Sequence, residues 1–130
     1  MTSLNRVLIA NRGEIAIRIA RAATSLGIET VGIYSKADAQ GLHARQVDVA
    51  VELPGADPVA AYLDITSIVQ IAIDNDCDCV HPGYGFLSEN ADFARTLTER
   101  GIKFVGPSAD SLALFGDKIS ARHLATELDI

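Results

Sequence analysis

Apolar positions along the 130 residues come in two patterns, short continuous runs and longer stretches with helical spacing. The first run, residues 6–10, is followed by a polar turn and then by residues 14–26, where apolar side chains recur every three or four positions. Gly27 ends this stretch as the C-terminal glycine of a helix does, and residues 29–34 are rich in strand formers. A strand, a helix and a strand within about thirty residues predict a right-handed βαβ crossover, and therefore parallel strands.

The same two patterns continue along the rest of the chain and predict an α/β protein. Ser88 is the predicted N-cap of one of the helices. Asp117 begins a last amphipathic helix that is still running at Ile130, so we expect the chain to be the front part of a longer protein. The predicted elements after residue 34 are a turn with a short helical piece (38–48), strands at 49–52, 77–81 and 102–105, a loop at 54–58, and helices at 62–74, 88–100 and 107–115.

Composition and charge narrow the class of protein. Hydrophobic residues make up 48% of the chain, which excludes disorder and is enough for one compact domain that needs no disulfide or metal. No run approaches the ~18 uncharged apolar residues of a membrane span, so we expect no membrane partner. The net charge of −6 and the lack of a basic face argue against a nucleic acid partner. The first residues have the features of neither a secretory signal nor a transit segment, so we expect a cytoplasmic protein.

The two cysteines, Cys77 and Cys79, are separated by one residue. On a single strand both thiols would point to one face with Cβ atoms ~6.5 Å apart, which exceeds the ~4 Å that a disulfide accepts. His81 is the one nearby residue that could complete a soft-metal site, and this is too few ligands. We therefore predict buried, reduced thiols and no metal site.

The turn after the first strand, residues 10–16, stands where a dinucleotide-binding fold carries its glycine-rich motif. That motif needs three glycines, whereas this turn has only Gly13, and Arg12 and Glu14 would crowd a pyrophosphate. No acidic residue closes the second strand either, because Ser35 and Lys36 follow Tyr34. A nicotinamide or flavin site is therefore not expected, although a weak phosphate contact at this helix N-terminus stays open.

The segment 81–90, with the sequence HPGYGFLSEN, follows the carboxyl end of a predicted strand, where open α/β sheets place their ligands. Gly83 and Gly85 bracket Tyr84, so the backbone is free on both sides of the ring. The spacing is equally compatible with a ligand-binding loop and with a packed turn.

A third motif, residues 115–118, has the sequence FGDK. Gly116 breaks the preceding helix, Asp117 caps the next, and Lys118 lies in its first turn, where the helix dipole disfavours a cation. This placement favours an anionic ligand beside Lys118, and the alternative is a solvated surface lysine.

These motifs, ANRGEIA at 10–16, HPGYGFLSEN at 81–90, and FVGPS with GDK between 104 and 118, together resemble the biotin carboxylases. These are the biotin-charging components of acetyl-, propionyl- and other acyl-CoA carboxylases, pyruvate carboxylase and urea carboxylase. The resemblance covers essentially the whole chain and implies a doubly wound, mainly parallel Rossmann-like α/β domain that precedes an ATP-grasp domain. It implies that residues 1–115 form this N-terminal domain and that 116–130 begin the connection to an ATP-grasp domain absent from this chain.

The resemblance also implies a function. The full enzyme would be a ligase that uses ATP, Mg²⁺ and bicarbonate to form carboxyphosphate and then carboxybiotin. The biotin would be attached to a biotin carboxyl carrier protein or domain, and a carboxyltransferase would use the carboxylated carrier. This chain alone would be inactive. Lys118 matches the lysine that touches the ATP phosphates, and Tyr84 matches the aromatic beside the biotin ring. Arg18 and Arg21 match a helix used in homodimers, but Ser25 stands where relatives often carry an acid that pairs across that interface. The alternatives are a stand-alone nucleotide-binding module and an assembly module.

Overall fold

A computed structural model describes residues 4–114, and its centre is one five-stranded sheet with the order β3-β2-β1-β4-β5. Every pair of neighbouring strands is parallel. The chain moves outward on one side of β1 to β2 and β3, then crosses to the other side for β4 and β5. The doubly wound, parallel α/β fold that the sequence predicts is therefore confirmed. The strands are β1 Arg6–Ile9, β2 Glu29–Tyr34, β3 Val49–Glu52, β4 Cys79–His81 and β5 Lys103–Phe104.

Two apolar clusters lie on the two faces of the sheet because side chains alternate along each strand. Leu8 of β1 packs into the larger cluster, which holds the buried sides of α4 and α5, while Val7 and Ile9 pack against α1 in the smaller one. Phe93 and Phe104 meet edge to face in the larger cluster, with their ring centroids 6.0 Å apart. The helices are α1 Gly13–Ser25, α2 Leu42–Arg45, α3 Pro58–Ala61, α4 Ile65–Asp74 and α5 Ala91–Glu99, with a 3₁₀ turn at Lys36–Asp38, and residues 109–114 are also helical.

The helices predicted at 62–74 and 88–100 begin later in the structure. The prediction that Ser88 caps the helix at 88–100 is wrong, because the Oδ1 of Asn90 accepts the Phe93 N–H at 2.9 Å and α5 begins after it. Ser88 instead lies in a turn, where its N–H donates to the Gly85 carbonyl at 2.9 Å. Similarly, Asp64 caps α4 by accepting from the backbone N–H of Ser67, so this helix begins at residue 65.

The two cysteines do not share one face of the sheet, as a strand over 77–81 would require. Cys77 packs in the larger apolar cluster and Cys79 in the smaller one, because β4 begins only at Cys79 and Asp76 before it has a left-handed φ of 56°. Both thiols are free and buried, as predicted. Burial raises the pKa of Cys77 to about 11 and that of Cys79 to about 12, so both are protonated near neutral pH.

The described residues contain neither a membrane-spanning helix nor a cluster of metal ligands. Within 4–114, no helix is both long enough and apolar enough to cross a bilayer. The same part of the chain holds no group of three or more His, Cys, Asp or Glu side chains that could bind a metal ion.

Candidate functional site

The candidate site lies where the strand order reverses, between β1 and β4. In open α/β sheets the loops that leave two such strands diverge, and ligands bind in the crevice between them. Here β1 and β4 are paired with Ile9 opposite His81, and the Ala10 N–H donates to the His81 carbonyl at 2.9 Å. The two loops that follow are therefore neighbours, and the second, residues 82–88, is called the Tyr84 loop below.

Asn11 connects the two loops through its side chain. Its Nδ2 donates to the Pro82 carbonyl at 2.9 Å and to the Tyr84 carbonyl at 2.7 Å, and its Oδ1 accepts the Arg12 N–H at 2.8 Å. Only 1% of Asn11 is exposed. Sequence reasoning assigned it no role, although a polar residue directly after a buried strand is a signal that could have identified it.

The backbone of the Tyr84 loop takes conformations that favour glycine. Gly83 and Gly85 have φ values of 68° and 74°, and Phe86 follows with 45°. The Gly83 N–H donates to the Nδ1 of His81 at 3.0 Å, which requires that nitrogen to be unprotonated. Leu87 is buried, so the loop is attached to the protein on both sides of Tyr84.

The Tyr84 side chain itself is 82% exposed. Of the two possibilities that spacing left open, the structure excludes a ring packed into the sheet edge. Tyr62 shows the contrast, because it is 1% exposed and its ring lies 5.3 Å from that of Phe86. An exposed aromatic ring on an anchored loop offers a flat face to an apolar or planar ligand group.

On the other side of β1, a polar network occupies the carboxyl end of β2. Arg12 donates from Nε and Nη2 to the two carboxylate oxygens of Asp38, each at 2.7 Å. Tyr62 donates its hydroxyl to Asp38 at 2.6 Å and accepts the Ser35 N–H at 3.1 Å. The hydrogen bonds from Arg12 hold the pKa of Asp38 well below its usual range, so the pair is charged at neutral pH.

His43 covers the start of α1 from inside the protein. Its Nδ1 accepts the N–H of Gly13, the first amide of the helix, at 3.3 Å, so its Nε2 carries the proton and donates to the Ile33 carbonyl at 3.2 Å. Burial lowers the pKa of His43, which keeps it neutral. In a Rossmann-type site, a phosphate of the dinucleotide would accept a hydrogen bond from this first amide of the helix. Here the side chain of His43 accepts that hydrogen bond instead.

The remaining predicted site residues lie elsewhere. Arg18 and Arg21 are both exposed on α1; the Nε of Arg18 lies 3.6 Å from an oxygen of Glu14. Arg18 borders a groove of about 340 Å³ whose other lining residues are mostly apolar. Ser25 is also exposed, and its hydroxyl donates to the Arg21 carbonyl. Lys118 and the proposed boundary at 115/116 fall outside the described residues.

Known proteins resemble this chain along nearly its full length. It is 52% identical over 129 residues to pyruvate carboxylase of Bacillus subtilis, a match that covers 98% of this chain and 11% of that protein. It is 50% identical over 119 residues to biotin carboxylase 1 of the same organism, covering 92% of this chain and 26% of that protein. The chain thus spans about a tenth to a quarter of the length of these relatives.

Solved structures of the same kind of protein share this fold. One is the biotin carboxylase domain dimer of Hydrogenobacter thermophilus 2-oxoglutarate carboxylase, in complex with MgADP, ADP and bicarbonate. It superimposes on this chain with a TM-score of 0.87 at 38% sequence identity, and the match covers 100% of this chain and 28% of that one. The sequence profile of the biotin carboxylase N-terminal domain matches residues 3–112. By its sequence and its fold, the chain belongs to the biotin carboxylase N-terminal domain family.

Proposed function

We propose that this chain works as the first domain of a biotin carboxylase. The complete enzyme, meaning this chain joined to the ATP-binding and C-terminal parts that its relatives carry, would use ATP, Mg²⁺ and bicarbonate to carboxylate biotin on a carrier protein or domain. The observation that carries the proposal within this chain is the exposed ring of Tyr84, which lies on an anchored loop at the crevice between β1 and β4. The MgADP and bicarbonate bound by the Hydrogenobacter thermophilus domain support the same chemistry.

In this proposal the described residues contribute to the biotin side of the site. The ring system of biotin is compact and uncharged and carries a planar ureido group, which suits stacking against the exposed face of Tyr84. Lys118 would bind the ATP phosphates through charge-assisted hydrogen bonds and share in stabilising the phosphoryl charge. We assign the Mg²⁺ ligands to the ATP-binding part of the complete enzyme, because Mg²⁺ binds there together with the phosphates of ATP.

The proposed partners follow from the same assignment. A biotin carboxyl carrier would deliver its biotin to the Tyr84 loop, and a carboxyltransferase would receive the carboxylated carrier. Pyruvate carboxylases and a 2-oxoglutarate carboxylase share this domain, which supports a common role in charging biotin, with the final acceptor chosen elsewhere. A homodimer contact through Arg18 and Arg21 is also proposed, and their exposure on α1 supports it.

Enzyme assays on two proteins test the proposal. The 130-residue chain alone should release no ADP from ATP, bicarbonate and free biotin, whereas the complete enzyme should release ADP in a biotin-dependent manner. Biotin-dependent turnover by the isolated chain would contradict the division of labour proposed here.

A titration of the chain with NAD, FAD and ATP tests the alternative of a stand-alone nucleotide-binding module. We expect no tight binding of NAD or FAD, because His43 already holds the first amide of α1. Gel filtration of the chain tests whether it self-associates, and self-association combined with unchanged biotin kinetics of Tyr84→Ala in the complete enzyme would indicate an assembly module.

A further inference from the structure

The buried amide of Asn11 and the exposed ring of Tyr84 belong to one connected structure. Asn11 is 1% exposed, and one of its hydrogen bonds is accepted by the carbonyl of Tyr84 itself, at 2.7 Å. The residue whose ring faces solvent is thus held through its backbone by a side chain in the protein interior. We infer that Asn11 is a positioning residue that sets the direction in which the Tyr84 ring is presented to biotin. This inference rests on the proposed function.

The chemistry of asparagine matches this task. An amide nitrogen carries two hydrogens, and both are used here, one for the Pro82 carbonyl at 2.9 Å and one for the Tyr84 carbonyl. The Oδ1 accepts the Arg12 N–H at 2.8 Å, which fixes the plane of the amide. Aspartate has the same size and keeps the acceptor but has no donor when ionised, and alanine has neither.

Gly83 forms the other side of the same contact. A Cβ atom at position 83 would lie 2.7 Å from the Nδ2 of Asn11 and 2.8 Å from the Cγ2 of Ile15. Gly83 also has a left-handed φ of 68°, a backbone conformation that residues with a side chain rarely adopt. The absence of a side chain at 83 therefore lets the Asn11 amide reach both carbonyls of the loop.

Loss of these donors would act on the direction of the Tyr84 ring. The Tyr84 carbonyl belongs to the peptide unit that directly follows the Cα of Tyr84, and the Pro82 carbonyl belongs to the unit that precedes Gly83, so the two hydrogen bonds hold the segment Gly83–Tyr84 from both ends. Without Asn11 these carbonyls must turn toward water to be satisfied, and the rotation of the peptide units changes the direction of the Tyr84 Cα–Cβ bond. Biotin binding should weaken, while ATP binding, assigned to Lys118 and to other parts of the enzyme, should not.

The test compares Asn11→Ala and Asn11→Asp in the complete enzyme. Both should raise the KM for free biotin by about fivefold or more, the effect of losing one to two neutral hydrogen bonds. The KM for ATP and the bicarbonate-dependent ATP hydrolysis without biotin should stay within about twofold of the wild-type values. Asn11→Asp is the sharper variant, because it removes the donors while it preserves the size and the acceptor.

Thr30→Val is the matched control for general loss of stability. Thr30 is 1% exposed at the amino end of β2, where its hydroxyl donates to Asp48 at 3.2 Å and accepts the Asp48 N–H at 3.0 Å. Valine has nearly the same shape and loses both hydrogen bonds at the end of the sheet away from the Tyr84 loop. This variant should lower the melting temperature and leave the KM for biotin unchanged.

The outcomes separate this inference from the proposed function. Should Tyr84→Ala raise the KM for biotin while Asn11→Asp keeps wild-type kinetics, the positioning role is wrong and the proposed function survives. Should Tyr84→Ala leave the KM for biotin unchanged, the proposed role of Tyr84 fails and the inference fails with it. A selective rise in the KM for biotin in Thr30→Val would assign the effect to stability and overturn the inference. Should Asn11→Ala fail to fold, Gly83→Ala disturbs the same contact from the opposite side, and an unchanged KM for biotin in that variant also overturns it.

Discussion

Two tyrosines in this chain allow the same truncation to be made in opposite environments. Tyr84 is 82% exposed and Tyr62 is 1% exposed, so Tyr84→Ala and Tyr62→Ala remove the same atoms from water and from the protein interior. We expect Tyr84→Ala to change biotin kinetics with little loss of stability, and Tyr62→Ala to cost stability. The comparison is internal, because both variants are made in one chain and measured under one set of conditions.

The expected magnitudes follow from burial and hydrogen bonding. A buried aromatic side chain removes ~150–250 Å² from water, and about a fifth of that area at ~25 cal/mol per Å² gives a loss of about 1 kcal/mol for Tyr84→Ala. For Tyr62→Ala the truncation of a buried aromatic costs ~3–5 kcal/mol. The Ser35 N–H and the Asp38 carboxylate also lose their partner hydroxyl, which adds to that cost.

Thermal unfolding of the 130-residue chain measures the stability part, and steady-state kinetics of the complete enzyme measure the functional part. At roughly 4 °C per kcal/mol for a domain of this size, Tyr62→Ala should lower the Tm by more than about 10 °C and Tyr84→Ala by less than about 4 °C. Tyr84→Ala should raise the KM for free biotin and preserve bicarbonate-dependent ATP hydrolysis without biotin. A large fall in Tm for Tyr84→Ala with unaltered biotin kinetics would refute the reasoning and show that the residue serves packing.

Three further predictions concern charge. Lys118→Gln in the complete enzyme should raise the KM for ATP and slow turnover, because a charge-assisted phosphate contact of about 1.5–3 kcal/mol is lost; unchanged ATP kinetics would make Lys118 a surface lysine. Asp38→Asn should lower the stability of the chain by about 1–3 kcal/mol in urea unfolding, because two hydrogen bonds from Arg12 lose their charged acceptor. Stability should fall as the pH drops below about 6.5, since burial lowers the pKa of His43 and His81 in the folded chain and the unfolded chain then binds more protons. His43→Gln, which cannot titrate, should flatten part of that decline in Tm, and an equal slope in both proteins would contradict the assignment.

The sequence by itself determined the fold class and most of its elements. Residues 29–34 and 49–52 were predicted as strands with the bounds that β2 and β3 have in the structure, and α1 begins and ends within one residue of its predicted bounds. These elements are encoded locally, because a half-buried helix or a buried strand imposes its own period on the apolar positions. The motifs in order along the chain also identified the family, which the relatives confirm.

Element starts were less well determined because nearby polar side chains compete for the same backbone donors. Ser88 and Asn90 are both good N-caps, and local sequence does not decide between them. The turn at 86–89 engages Ser88, which leaves the cap to Asn90. The two cysteines were predicted on one face because the strand was expected to begin at Cys77. In the structure β4 begins at Cys79, and the alternation of side chains applies only from that residue onward.

Only the tertiary structure decided what the loops do. Asn11 and Pro82 are 71 residues apart in the chain, and their hydrogen bond exists because β1 and β4 are neighbours in the sheet. The exposure of Tyr84 and the neutral state of His43 likewise depend on contacts between segments that no local pattern connects. Apolar periodicity reports the face that an element buries, whereas the direction of a loop side chain is set by long-range hydrogen bonds that form only after the sheet is assembled.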